Sequence, residues 1–261
     1  MPVSDNLYYS LHCERDTETP PLVLIHGAGG THLYWPPEIR RLRGYCVYAL
    51  DLPGHGKSST IDGQQSVGEY ARHMLHWLEA LEVRRAVLVG HSMGGAIALA
   101  LALHHPEHVV GLGLIGTGAR LRVQPDLLSF ITDQTMFLKA TDLLISCSFS
   151  ANAPSRLVEL ASKRLVETRQ SVLYGDLVAC NRFDVMDQLA SVKQPTLVVC
   201  GAEDQMTPVR YAQFLASSIP DARLSIIPGA GHMAMLEQPD LVANSLLSFL
   251  QEISFRPGEG L

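Results

Sequence analysis

Along this chain, short unbroken apolar runs alternate with stretches whose apolar positions recur every three or four residues. Leu22-Val23-Leu24-Ile25, Cys46-Val47-Tyr48-Ala49-Leu50, Ala86-Val87-Leu88-Val89, Gly111-Leu112-Gly113-Leu114-Ile115, Thr196-Leu197-Val198-Val199-Cys200 and Leu224-Ser225-Ile226-Ile227 read as strands. Most lack the apolar–polar alternation of a half-exposed strand, which fits strands buried on both faces of a parallel sheet. Leu7 to Cys13 offers an antiparallel strand at the sheet edge. Between the runs, Ser66-Val67-Gly68-Glu69 forms a capping box, followed by Tyr70, Met74, Leu75, Leu78 and Leu81 at helical spacing. The pattern predicts an amphipathic helix over 66–82, with His73 and His76 off its apolar stripe. Pro239-Asp240 opens a last helix carrying Leu241, Leu246, Leu247, Phe249 and Leu250. This β–α alternation predicts an open α/β sheet with right-handed crossovers, whose sites form at the carboxyl ends of its strands.

From Gly118 to Ala190 the rhythm breaks. No buried strand is evident, and Leu127-Leu128-Ser129-Phe130-Ile131, Met136-Phe137-Leu138, Leu143-Leu144-Ile145 and Ser155 to Val172 look helical, with Pro125 and Pro154 as start signals. The stretch is too long for a loop in a compact domain. It predicts a helical insertion, residues 118–190, over the carboxyl edge of a core formed by 1–117 and 191–261.

Composition narrows the class. A hydrophobic share of 47% over 261 residues supplies a sizeable core, and a formal charge of -6 without a long Lys/Arg run argues against nucleic acid as a partner. No apolar run is long enough to span a bilayer, and Met1 to Asp5 shows no basic-then-apolar leader, so neither a membrane nor a secretory route is expected. Five cysteines, at 13, 46, 147, 180 and 200, are scattered and odd in number. That suits a reduced, cytoplasmic protein with no disulfide framework and no zinc site, and Cys46 and Cys200 read as small core residues.

The chemistry concentrates at Gly90-His91-Ser92-Met93-Gly94-Gly95, between the run Ala86–Val89 and the alanine-rich stretch Ala96–Leu103. The pattern is G-x-S-x-G, a strand-to-helix turn that exposes one hydroxyl near a helix N-terminus. The bland alternative is an ordinary turn whose serine caps the helix. A serine nucleophile needs a base and an orienter for that base. Asp204 lies just beyond the run Thr196–Cys200, with Glu203 as its nearest competitor. His232 lies in a glycine-rich loop beyond Leu224–Ile227. His26 and His55 also occupy glycine-flanked loops but precede Ser92, and His91 should point away from it. The order Ser92, Asp204, His232 matches a nucleophile–acid–base sequence. Backbone donors for an oxyanion are expected from Ala28, with Gly29 as runner-up, and from Met93. The glycine cluster lacks both nucleotide-binding patterns, G-x-x-x-x-G-K-[ST] and G-x-G-x-x-G.

These motifs together make the chain resemble the α/β-hydrolase superfamily over nearly its whole length. The matching residues are His26-Gly27-Ala28-Gly29-Gly30, Asp51-Leu52-Pro53-Gly54-His55-Gly56-Lys57-Ser58, Gly90 to Gly95, Gly201-Ala202-Glu203-Asp204 and Gly231-His232. The resemblance implies the α/β-hydrolase fold: a mostly parallel eight-stranded sheet, helices on both faces and a helical cap. Ser92 argues against the aspartate nucleophile of haloalkane dehalogenases and epoxide hydrolases. Met233-Ala234-Met235-Leu236 lacks the tryptophan usual after the histidine in aromatic C–C hydrolases and the serine or asparagine frequent in enol-lactonases. What remains is similar to a serine carboxylesterase acting on small to medium apolar acyl groups, with no cofactor and no metal. Enol-lactone or C–C hydrolysis, or a ligand receptor with little turnover, are the alternatives. Gly27, Gly29, His91, Met206 and Met233 are candidate substrate contacts. Trp35 lies near the site in sequence. Leu121, Leu127, Leu128, Phe130, Met136, Phe137 and Leu138 would give an apolar lining, although their helical spacing suits core contacts better. Oligomeric state leaves no mark on the sequence.

Overall fold

The apolar runs form the strands β2 (Leu7–His12), β3 (Leu22–Ile25), β4 (Val47–Leu50), β5 (Ala86–His91), β6 (Val109–Ile115), β7 (Thr196–Gly201) and β8 (Ala222–Ile227), and a two-residue strand that the pattern did not predict, β1 (Val3–Ser4), precedes them. They join in one sheet of order β1-β2-β4-β3-β5-β6-β7-β8 in the computed structural model, which describes residues 3–14 and 19–254. The β1–β2 and β2–β4 pairs are antiparallel, and every pair from β4–β3 onward is parallel.

The helices are α1 (Pro37–Arg40), α2 (Val67–Ala80), α3 (Met93–His104), α4 (Pro125–Thr132), α5 (Phe137–Ser148), α6 (Ser155–Glu167), α7 (Gln170–Arg182), α8 (Val209–Ser218), α9 (Ala234–Glu237) and α10 (Pro239–Ser254). Strand side chains divide between two cores, as the unbroken apolar runs require. Val23, Ile25 and Leu88 pack with Tyr70, Met74 and Trp77 of α2 and with α3. Leu22, Leu24 and Val89 pack with Ile39 of α1 and with Leu246 and Phe249 of α10. Ser66 caps α2 by accepting the Glu69 N–H, while the Glu69 carboxylate accepts the Ser66 hydroxyl at 2.9 Å.

Between β6 and β7 the chain runs through α4 to α7, whose apolar faces form a third core of Leu127, Ile131, Ala140, Leu144, Leu165, Leu173 and Leu177. The helical stretch predicted over Ser155 to Val172 divides at Thr168 and Arg169, both extended, into α6 and α7.

One expectation fails outright. Cys13 and Cys46 are joined as a disulfide, leaving Cys147, Cys180 and Cys200 free. The antiparallel register explains the pairing. His12 faces Val47 across the β2–β4 ladder, so one step outward brings Cys13 opposite Cys46. Cys46 is half-buried at the strand edge rather than a core filler, and the cysteine pattern no longer argues for a reducing compartment. No helix among the described residues is long and apolar enough to cross a membrane.

Candidate active site

The turn from β5 into α3 holds Ser92 at φ 52°, ψ -117°, a conformation that L-residues rarely adopt. Several bonds impose it. The Ser92 N–H donates to Ile115 O at 2.9 Å. Its carbonyl accepts the Gly95 N–H at 2.9 Å, the Ala96 N–H at 3.2 Å and the Thr117 hydroxyl at 2.8 Å. The flanking glycines are steric necessities, since a Cβ on Gly90 would overlap the Gly94 carbonyl and one on Gly94 would overlap Ile25 O. Met93 opens α3, so its N–H is among the first-turn donors that have no acceptor within the helix.

Asp204 and His232, predicted from separate loops, meet. The His232 Nδ1–H donates to Asp204 Oδ2 at 2.9 Å, with both residues buried. The second carboxylate oxygen accepts the Met206 N–H at 2.9 Å and the Thr207 N–H at 2.8 Å, and the Thr207 hydroxyl donates to Oδ2 at 2.8 Å. Burial alone would raise the Asp204 pKa. His232 and the Thr207 donors outweigh it and hold the carboxyl below its ordinary range. With Nδ1 committed to Asp204, the Nε2 of His232 is the nitrogen left to act as base. Glu203, the competing acid, instead accepts the Ala151 N–H at 3.4 Å.

Ser92 and His232 border one cavity of about 110 Å³. Ala28, His91, Met206 and Met233 border it too, as do Tyr34, Thr207 and Tyr211. Its far wall comes from the helices between β6 and β7: Leu144 and Ile145 of α5, Ala161 and Leu165 of α6, Leu173 and Leu177 of α7. Of the apolar residues considered for the lining, Leu121 alone belongs to it. Leu127 packs into the third core, and Leu138 is 59% exposed. Trp35 is fully buried behind its neighbour Tyr34, which lines the cavity in its place.

Three further sequence readings change. His91 does not point away, since it borders the cavity, and its Nε2–H donates to His232 O at 3.1 Å. Burial, with His232 nearby, pushes its pKa down to about 3, so the ring is neutral and its buried Nδ1 has no partner. Gly27 is a packing position rather than a lining one. A Cβ there would lie 2.9 Å from His91 Nδ1 and 3.1 Å from Ser92 Cβ. Gly29 cannot supply an oxyanion donor, because its N–H is spent on Asp176 Oδ2 at 2.8 Å. Asp176 carries no motif and escaped the sequence reading.

Behind the Ala28 loop lies a polar cluster. His26 receives the Leu52 N–H on Nε2 at 3.0 Å and donates from Nδ1 to Gly27 O at 2.8 Å. Burial, then His55, lower its pKa to about 4. Asp51 accepts from the backbone N–H of His32 at 2.7 Å and of Lys57 at 2.9 Å, and from His32 Nδ1 at 2.8 Å.

A family model described as the alpha/beta hydrolase fold matches residues 20–239. A protein of Caulobacter sp. (strain K31), named provisionally as the carbamate hydrolase RutD, is 26% identical over 94% of this chain and 96% of its own. The pimeloyl-[acyl-carrier protein] methyl ester esterase of Vibrio vulnificus is 29% identical over 92% and 97%. Among solved structures, a thermophilic esterase superposes with a TM-score of 0.81 at 35% identity, covering 97% of this chain and 96% of its own. The eight-stranded sheet, the strand-to-helix turn at Ser92 and the match over residues 20–239 agree, and the chain belongs to the alpha/beta hydrolase fold family.

Proposed function

We propose that the protein is a serine hydrolase that cleaves carboxylic esters of small to medium apolar acyl groups through an acyl-enzyme. The observation that carries this is the His232 ring, which is anchored by Asp204 on one nitrogen and borders the cavity that Ser92 enters. Ser92 Oγ attacks the ester carbonyl while His232 Nε2 takes its proton. Asp204 stabilises the resulting imidazolium. The N–H groups of Ala28 and Met93 receive the oxyanion, and His232 returns the proton to the departing alcohol. Water then attacks the acyl-enzyme by the same route. No step calls on a metal or a cofactor.

Residues 118–190 act here as a cap, with α5, α6 and α7 closing an apolar acyl pocket over the nucleophile. A cavity of about 110 Å³ is smaller than the roughly 150 Å³ known to admit a benzene ring, so acyl groups of a few carbons fit best. The names borne by the relatives, for esters and a carbamate, share this acyl-transfer chemistry.

The test is a panel of activated esters graded from acetyl to octanoyl, with aryl carbamates and an enol lactone beside them, assayed on wild type and Ser92→Ala. Sustained turnover peaking at the short esters, and a loss of about 10⁴-fold or more in the variant, are expected. A single stoichiometric release of alcohol followed by no turnover would favour a receptor instead. Equal rates in both proteins would remove Ser92 from the chemistry.

A further inference from the structure

We propose that Asp176, on the cap helix α7, is a positioning residue that holds the oxyanion loop in its working shape. The role assigned to Ala28 rests on the esterase reading above. Asp176 is fully buried, and its carboxylate collects donors from three distant segments. Oδ2 accepts the Gly29 N–H at 2.8 Å and His55 Nε2–H at 2.8 Å, and Oδ1 accepts the Tyr70 hydroxyl at 2.5 Å. A carboxylate with no exposure is retained only where such donors offset its desolvation.

His55 matches it. Its other nitrogen, Nδ1, faces Pro53 O at 3.0 Å, so both ring nitrogens meet acceptors, and the imidazolium donates to both. Asp51, His26 and Tyr70 also surround this ring, with the His26 and Tyr70 ring centres 4.8 and 6.4 Å away. Burial opposes the charge on His55, and Asp176 more than compensates, raising its pKa.

The connection to catalysis runs through one peptide. Gly29 follows Ala28 directly and sits at φ +63°. The cap holds both of its backbone groups, with the N–H on Asp176 and the carbonyl accepting the Thr168 hydroxyl at 3.1 Å. A Cβ on Gly29 would meet Leu165 at 2.5 Å and Leu173 at 3.1 Å, so cap side chains cover the same residue. Gly30 closes the turn on Gly27 O at 3.1 Å. The Ala28 N–H is therefore presented from a turn fixed before substrate arrives, which is what oxyanion stabilisation demands. The cap thus completes the catalytic apparatus as well as walling the pocket.

Asp176→Asn keeps the shape and removes the charge. Tyr70→Phe, which removes the hydroxyl that donates to Asp176 and accepts the Gln64 N–H without touching Gly29, is the comparison. The measurements are kcat and KM on the best ester of the panel, thermal melting, and hydrogen–deuterium exchange of the peptide covering residues 26–31. Asp176→Asn should lower kcat by about 10- to 100-fold with KM within about twofold, and speed exchange in that peptide. Tyr70→Phe should lower the melting temperature while keeping kcat within about threefold. Unchanged kcat and exchange in Asp176→Asn would overturn the proposal, as would an equal kcat loss in folded Tyr70→Phe. Should Asp176→Asn fail to fold, Thr168→Val removes the second cap bond to Gly29, and unchanged loop exchange in it counts against the proposal. If wild type turns over no ester, the esterase reading fails, and the exchange measurement alone decides whether Asp176 holds the loop.

Discussion

At the scale of single residues, the site depends on one tautomer and one strained turn. Asp204 fills both its oxygens with donors, so replacing it by Asn leaves the volume but puts an amide N–H where the His232 Nδ1–H must donate. Asp204→Asn should therefore keep the fold and reduce kcat by about 10³- to 10⁴-fold, read on the same ester panel. A loss under about tenfold would mean that His232 needs no orienter. Strain at Ser92 is tolerated because backbone packs directly on Gly90 and Gly94. Gly94→Ala drives a Cβ into Ile25 O, an atom that cannot yield, and should cost several kcal/mol, seen as loss of soluble protein or of the cooperative melt. Ser92, Asp204 and His232 were legible in the sequence as candidates because each lies in the turn or loop that follows a strand. Asp176 was not, because an aspartate inside a helix looks solvated until the partners of that helix are known. Tyr34 and Thr207 escaped for a similar reason: their places depend on which way short loops fold back.

At the scale of elements, strands buried on both faces announce themselves, and their limits shifted by only a residue or two. The cysteine pair was hidden because it depends on register, which no linear pattern reveals. The helices between β6 and β7 gave helical periodicity but not their orientation, so the residues chosen for the lining fell mostly on their outer or inner-core faces. Close packing of α7 gives a test at this scale. Gly175 precedes Asp176, and a Cβ on it would lie 2.6 Å from Gln64 O. Gly175→Ala should push α7 off the core and cost about 1–3 kcal/mol, roughly 2–4 °C of melting temperature per kcal/mol. Gly68, in the first turn of α2, has open space around it. Gly68→Ala should stabilise by up to about 1 kcal/mol through reduced chain entropy and better helix propensity. If both variants shifted the melt upward, the tight approach of α7 to the loop before α2 would be wrong.

At the scale of the whole molecule, buried histidines set the response to acid. His26 and His91 are neutral when folded, with values near 4 and near 3, against about 6.5 for an exposed imidazole. Below about pH 6.5 the unfolded chain takes up protons at both positions that the folded chain refuses, so stability drains as pH falls toward 4. His55 acts in the opposite sense. Its raised value gives stability that is complete in acid and lost as pH rises through it. Asp51 and Asp204, both lowered, contribute above the ordinary carboxylate range and give up that contribution only in stronger acid. Below about pH 6.5 the His55 contribution is already complete, so His26 and His91 set the slope, and melting temperature should decline steadily from about pH 6.5 to 4.5. His91→Gln removes one of the two titrations while keeping an N–H in reach of His232 O. The variant should melt with a visibly shallower dependence on pH over that interval, whatever its stability near neutrality. An unchanged slope would mean that His91 takes up its proton in the folded state as readily as in the unfolded one, and that its burial carries no electrostatic cost.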